Sequence, residues 1–374
     1  MGLTRLGAVL VALVAGAALL VAPAAAAPER VTATQPPLVK GDPVFDGRLV
    51  AGTGHWDPAA VSLAYQWLRA GQPVPGATER TYVPGLDDLG RRIRVEVTAT
   101  DAAGESATSR SEPTDPVRRA SFVTVEDVRL VGEARYGSTL RMAGPRLRPR
   151  PERVIRYWMA DGVGIAHADG RTYRIRPGDV GTRVLGVTVA SRPGYRKLES
   201  VTEARTVRHR IDVRRTVSYH VETRGHVTAS VADFRRLAQQ TYDDPRGWRG
   251  AGIAFRRVAH GGDFTLVLAE ASRVPGFSSS CSSSWSCRVG RFVIINQTRW
   301  LHASPAWNAA HGTLRDYRHM VVNHETGHWL GLGHAGCPRR GALAPVMMQQ
   351  SKGLGGCRFN PWPTGHELAG RTPH

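Results

Sequence analysis

The chain has 374 residues, of which 41% are hydrophobic and 22% charged, a balance that excludes a disordered chain and gives length enough for two or three domains with buried cores. Lys and Arg outnumber Asp and Glu by 50 to 31, for a formal charge of +19 at pH 7. A basic exterior favours anionic partners such as cell-wall polymers or nucleic acid. However, Lys40, Lys197 and Lys352 are the only lysines, and the arginine excess is equally the mark of a GC-rich coding sequence. No basic run interleaved with aromatics is present to stack bases, so no nucleic-acid partner is expected.

Residues 1–27 read as a signal peptide. Arg5 supplies a short basic start, residues 6–21 an apolar run, and Ala24 to Ala27 a small-residue processing site. The expectation is export, with no stable membrane span after cleavage; a retained anchor is the alternative.

An internal repeat follows. Tyr65-Gln66-Trp67 recurs 91 residues later as Arg156-Tyr157-Trp158. At the same offset Thr81-Tyr82 answers to Thr172-Tyr173, and Asp88-Leu89-Gly90 to Asp179-Val180-Gly181. Short alternating runs split by Gly, Pro and Asp turns predict two small β-sandwiches, at 28–118 and 119–210. The central tryptophan and the Asp-x-Gly corner resemble those of immunoglobulin-like domains. More closely, the stretch from Tyr65 to Gly71 resembles the cysteine-free sandwich repeats on many secreted actinobacterial enzymes. Such repeats imply a spacer, or a contact with wall polymers for which the more arginine-rich second repeat is the better candidate.

From residue 211 the pattern changes. The sequence predicts strands over 217–221, 253–258, 264–268 and 292–295. A helix is expected over 228–242, where Val231, Phe234, Leu237 and Ala238 share one face. Thr313 is placed to cap another helix starting at Leu314, with Asp316 at the third position. Met320, Val321 and Trp329 would form its buried face.

That helix runs into His324-Glu325-Thr326-Gly327-His328-Trp329-Leu330-Gly331-Leu332-Gly333-His334. Histidines four apart on a helix project from one face and can hold one metal ion at about 2.0–2.1 Å each. Glu325 lies beside the first ligand, where a general base is needed. A third ligand six residues on requires the helix to stop, and Gly331 and Gly333 supply the backbone for a turn that returns His334. Three neutral imidazoles leave zinc an open fourth position, the pattern of a catalytic ion.

Four cysteines, Cys281, Cys287, Cys337 and Cys357, allow three pairings. Their spacing favours Cys281–Cys287, closing the Ser-rich loop 278–286, and Cys337–Cys357. A cysteine-zinc site is the rival, but it calls for closer spacing.

This histidine stretch resembles the metzincin signature of zinc endopeptidases. The resemblance implies an α+β zincin catalytic domain over 211–374, one zinc ion and peptide or protein substrates. It also implies a tight turn carrying a methionine, for which Met347 in Pro345-Val346-Met347-Met348-Gln349 aligns best, with Met348 as the alternative. Some metzincins place a metal-binding tyrosine two residues later; Gln349 stands there instead. Residues Asp244 to Trp248, the Cys281–Cys287 loop and Asn360-Pro361-Trp362-Pro363 look like an uncharacterised secreted actinobacterial family with the same motif. The expected function is therefore a secreted zinc endopeptidase with Glu325 as base. The alternative is a wall-associated scaffold with a structural or vestigial zinc site. A substrate strand is expected to add along 290–296 or along the disulfide loop before it. His302, His311, His319 and His366 are expected at the surface or behind the site.

Overall fold

The computed structural model describes Gly2, residues 30–60 and residues 62–369, so the signal-peptide expectation falls outside the described residues apart from Gly2. The chain forms two units, one running through Ser121 with Pro193–Arg196, the other comprising Phe122–Arg192 and the chain from Lys197 onward.

The first unit is a β-sandwich. Strands Ser62–Arg69, Ile93–Thr100 and Ser106–Arg110, with the short Gln72–Pro73, form one antiparallel sheet, and Val39–Lys40, Leu49–Ala51 and Thr81–Tyr82 form another. Alternation places Ile93, Val95 and Val97 inward, where they enclose Trp67 with Leu49. The indole Nε1 donates to Glu79 O at 2.8 Å, so the buried ring leaves no orphan donor. At the corner, buried Asp88 accepts from Tyr82 Oη at 2.7 Å and from Gly85 N at 2.6 Å.

The second unit begins with the same device. Trp158 packs on Tyr173, whose hydroxyl donates to Asp179 at 2.6 Å, as does Arg176 N at 2.6 Å. The matched Asp-x-Gly positions are thus buried carboxylates that fasten a tyrosine and a turn, which explains why the repeat is legible at those residues. This sandwich shares its unit with the C-terminal part, and Arg135 reaches Asp212 through a bidentate pair at 3.0 and 3.1 Å.

The C-terminal part holds a five-stranded sheet in the order Ile253–Arg257, Arg215–Arg224, Phe264–Ala269, Phe292–Asn296, Cys287–Val289. The first four strands are parallel, and the last is an antiparallel edge. The hydrophobic strand Phe264–Ala269 is buried along its whole length, as a strand covered on both faces must be. Its Leu266 and Leu268 face helices Val231–Asp243 and Leu314–Trp329, whereas Val267 and Ala269 face Val274 and Cys281.

Differences from expectation are local. The first helix starts at Val231 rather than 228, because the Ser230 hydroxyl accepts from Asp233 N at 3.2 Å and caps it there. The first strand extends to Arg224, since its parallel pairing with Phe264–Ala269 continues past Val221. Strand Phe292–Asn296 is second from one edge; the edge on that side is Cys287–Val289, which begins at the disulfide, and Ile253–Arg257 is the edge at the other end. Trp329 is only half-buried.

Candidate metal centre

Thr313 caps the helix Leu314–Trp329 as expected. Its hydroxyl oxygen accepts from Asp316 N at 3.0 Å and its hydroxyl donates to Asp316 Oδ2 at 2.8 Å. At the other end Leu332 N donates to Gly327 O at 3.0 Å and Gly331 N to His328 O at 3.0 Å. These bonds need a left-handed residue, and Gly331 takes φ 91°. Gly333, by contrast, does not adopt a positive φ. The chain then turns back and His334 joins the other two histidines.

The ligand atoms of His324, His328 and His334 all lie within 4.8 Å of one another. His328 Nε2 is 3.2 Å from His324 Nε2 and 3.1 Å from His334 Nε2. Four ligands arranged tetrahedrally about an ion at 2.0–2.1 Å would stand about 3.3 Å apart, so two of the three spacings fit. The tautomers argue further. His324 Nδ1 donates to Val346 O at 2.8 Å and His328 Nδ1 to Leu332 O at 2.8 Å. In neutral rings this puts bare lone pairs on both Nε2 atoms, facing each other at 3.2 Å. Two acceptors at that distance repel, and a cation between them removes the repulsion. Burial keeps the rings neutral: it pulls His324 down to about 3 and lowers His328 and His334 as well. The donor set fits a divalent ion that accepts imidazole nitrogen.

Glu325 is 6% exposed. Burial pushes its carboxyl up to about 8, against the pull of the Arg288 guanidinium. Arg288, on the edge strand, donates from Nη2 to His328 O at 2.8 Å and ties that edge to the end of the helix. The site opens into a cleft of about 310 Å³ between the disulfide loop, represented by Ser280 and Trp285, and the segment Gln349 to Lys352, with Tyr317 at its side.

Of the two candidate methionines, Met347 is the one beneath the site. It is 1% exposed and packs with the main core, while Met348 sits in a separate cluster with Cys337 and Cys357. The Met347 sulfur lies so close under Gly327 that a Cβ there would collide with it, and would also meet Trp248 Cζ2 at 2.9 Å. Both disulfides, Cys281–Cys287 and Cys337–Cys357, form as the spacing indicated. Gln349 lines the cleft without a hydrogen bond to any of the three histidines.

The other histidines divide. His302, His311 and His366 are exposed. His319 is buried behind the helix, with Nδ1 2.9 Å from Thr241 Oγ1 and its ring 4.8 Å from Trp362, and burial lowers it to about 4.

Sequence reasoning passed over Glu367. This buried carboxylate accepts from Met347 N at 2.8 Å, Val346 N at 3.1 Å, and Thr364 N and Oγ1 at 2.7 and 2.8 Å. Glu367 therefore fastens the methionine turn whose Val346 carbonyl orients His324. The available signal was Thr364-Gly365-His366-Glu367, a capping pattern with a carboxylate three residues after a threonine.

Residues 188–360 match a family described as a protein of unknown function, DUF3152. The matched span holds the three histidines, Glu325, Met347 and both disulfides, and stops short of Glu367. No curated protein matches the sequence. Among solved structures, three N-terminal domains of the bacteriophage RB49 Highly Immunogenic Outer Capsid protein are 12% identical, covering 52% of this chain and 65% of that one with a TM-score of 0.22. The chain thus spans just under two thirds of that phage segment. A two-domain fibronectin type-III segment from chicken tenascin is 9% identical, covering 45% and 99% with a TM-score of 0.23. Tandem Ig repeats of Dlar are 17% identical, covering 46% and 97% with a TM-score of 0.16.

Proposed function

We propose that the chain is an exported zinc-dependent endopeptidase of the metzincin kind, its catalytic part carried by the C-terminal sheet-and-helix region. The observation that carries this reading is the pair of facing lone pairs on His324 and His328, with His334 brought round by Gly331. A purely structural site needs no adjacent base, yet Glu325 is held beside the ligands with its carboxylate in the cleft. Two formed disulfides support export, and among the described residues no helix is long and apolar enough to cross a membrane.

A zinc ion bound to the three imidazoles would supply Lewis acidity toward the scissile carbonyl and an acidified water. The chain's own groups do the rest. Glu325 accepts the proton of the attacking water and returns it to the leaving amine. The open edge Cys287–Val289 offers main-chain groups to an extended peptide, which would lie as a sixth strand across the cleft. The hydrogen bonds from the Nδ1 atoms to Val346 O and Leu332 O fix both rings before any ion arrives.

The test is hydrolysis of an unstructured protein such as casein by the full chain, with and without a chelator, beside Glu325→Gln. The expected result is zinc-restored activity that falls by several powers of ten in the variant while zinc content stays at one per chain. Chelator-resistant hydrolysis, or an equally active Glu325→Gln, would sink the assignment. Zinc bound without any hydrolysis would leave a scaffold with a structural ion.

A further inference from the structure

We infer that the cleft selects peptides carrying acidic side chains around the bond to be cut, with Arg288 and Lys352 as the specificity-determining residues. The inference rests on the peptidase reading above and names its substrate class. Arg288 and Lys352 line the cleft from opposite sides, one on the edge strand and the other beyond the methionine turn. Among the described residues Glu325 is the only acidic one lining it, and it belongs to the proposed catalytic machinery. The remaining polar wall is neutral: Ser280, Ser282, Ser286, Gln349, Gln350 and Ser351.

The position of the two cations is fixed differently. The Arg288 bond to His328 O holds its guanidinium at the cleft mouth, with no carboxylate within ion-pair distance among the described residues. Lys352 is exposed, lines the same cleft as the three histidines and likewise has no ion pair among the described residues. A third cation, Arg299, stacks on Trp285 of the disulfide loop at 5.0 Å. Apart from the three histidines and Glu325, the charged side chains among the described residues lining the cleft are therefore both positive, Arg288 and Lys352. A divalent ion would add to that field. An acidic side chain entering the cleft gains attraction from both walls, while a basic one meets like charge with no acid nearby to relieve it.

The experiment uses zinc-loaded full chain and a peptide series of one length, in which the positions flanking the scissile bond are all Glu, all Ala or all Lys. Catalytic efficiency should rank Glu over Ala over Lys, with about fivefold for each acid placed beside a cation. The difference should reside in KM and shrink in high salt. Lys352→Glu should compress or invert the Glu-to-Lys ratio. Binding of the same peptides to Glu325→Gln by fluorescence anisotropy reads the preference without turnover and should give the same ranking. Cleavage with equal or reversed ranking overturns this inference and leaves the peptidase standing. Hydrolysis of no peptide, together with no charge-dependent binding to Glu325→Gln, overturns both. Binding of inorganic polyphosphate but of no acidic peptide would assign the basic cleft to a phosphate polymer instead and also overturn it.

Discussion

Replacing Glu367 by glutamine should loosen the metal centre without touching it. The carboxylate is 7% exposed and accepts four hydrogen bonds, three from backbone N–H groups and one from a hydroxyl. A glutamine keeps the shape but has only one acceptor oxygen. If that oxygen takes the place of Oε2, its amide nitrogen faces Met347 N–H, donor against donor. If it takes the place of Oε1, both Val346 N–H and Thr364 N–H lose their acceptor. Leaving one buried donor unsatisfied costs about 1–3 kcal/mol, and exchanging charge-assisted bonds for neutral ones costs about 1 kcal/mol more. The sum is about 2–4 kcal/mol, or a fall of about 5–12 °C in the melting temperature of a domain this size. Because the Val346 carbonyl on that turn orients His324, zinc affinity should drop about 10- to 100-fold, as for other outer partners of metal ligands. Zinc affinity by competition with a chromophoric chelator, alongside calorimetric melting, reads both effects. The Co²⁺-substituted protein should show an altered d–d spectrum, which simple destabilisation elsewhere would not produce. Unchanged zinc affinity and unchanged melting would refute the claim that Glu367 braces the site.

Gly327→Ala should destabilise the protein by about 1–3 kcal/mol in urea titration, because its Cβ runs into the Met347 sulfur and Trp248; a neutral effect would mean that the turn yields freely. His319 gives a pH signature. Its folded value of about 4 lies below the 6.5 of an ordinary histidine, so as the pH falls the unfolded chain binds the extra proton first. Its contribution is complete above pH about 6.5 and is lost as pH falls toward 4, by about 3 kcal/mol at most. His319→Gln should flatten that part of the urea-midpoint profile relative to the parent chain, and an identical slope in both would remove His319 as the source. Converting Cys337 and Cys357 to serine together opens a crosslink spanning 20 residues and should cost about 3 kcal/mol, seen as a lower melting temperature of the C-terminal part.

Local chemistry wrote some of this protein openly. The spacing of His324 and His328, the Thr313 cap and a glycine turn after the helix each depend on neighbours within one or two helical turns, although the sequence offered both Gly331 and Gly333 for that turn and only Gly331 takes a positive φ. They were readable because an α-helix converts sequence distance directly into direction. The repeated Trp67 and Trp158, with Asp88 and Asp179, were legible for a related reason, since alternation along a strand assigns faces without reference to the rest of the chain. Of the three pairings that the four cysteines allow, the favoured one, Cys281–Cys287 with Cys337–Cys357, is the one that forms.

Other features depended on contacts between segments far apart in sequence. Alignment favours Met347 over Met348 but leaves both open; packing separates them, since the Met347 sulfur lies under Gly327 while Met348 joins the cluster around Cys337 and Cys357. Glu367 stands among ordinary surface residues, and only the return of the chain brings it under Val346 and Met347. Of the two expected edges, 290–296 and the disulfide loop before it, the first lies second from the edge and the edge strand Cys287–Val289 starts where the loop closes, because sheet order is set by which strands bury each other, a global choice. Arg288 and Lys352 meet across one cleft for the same reason, as members of a chain with 50 basic residues whose places only packing assigns. Sequence alone determined the directions in which side chains leave a helix or strand. Tertiary structure decided which of those directions converge, because convergence is a property of packed surfaces rather than of neighbouring residues.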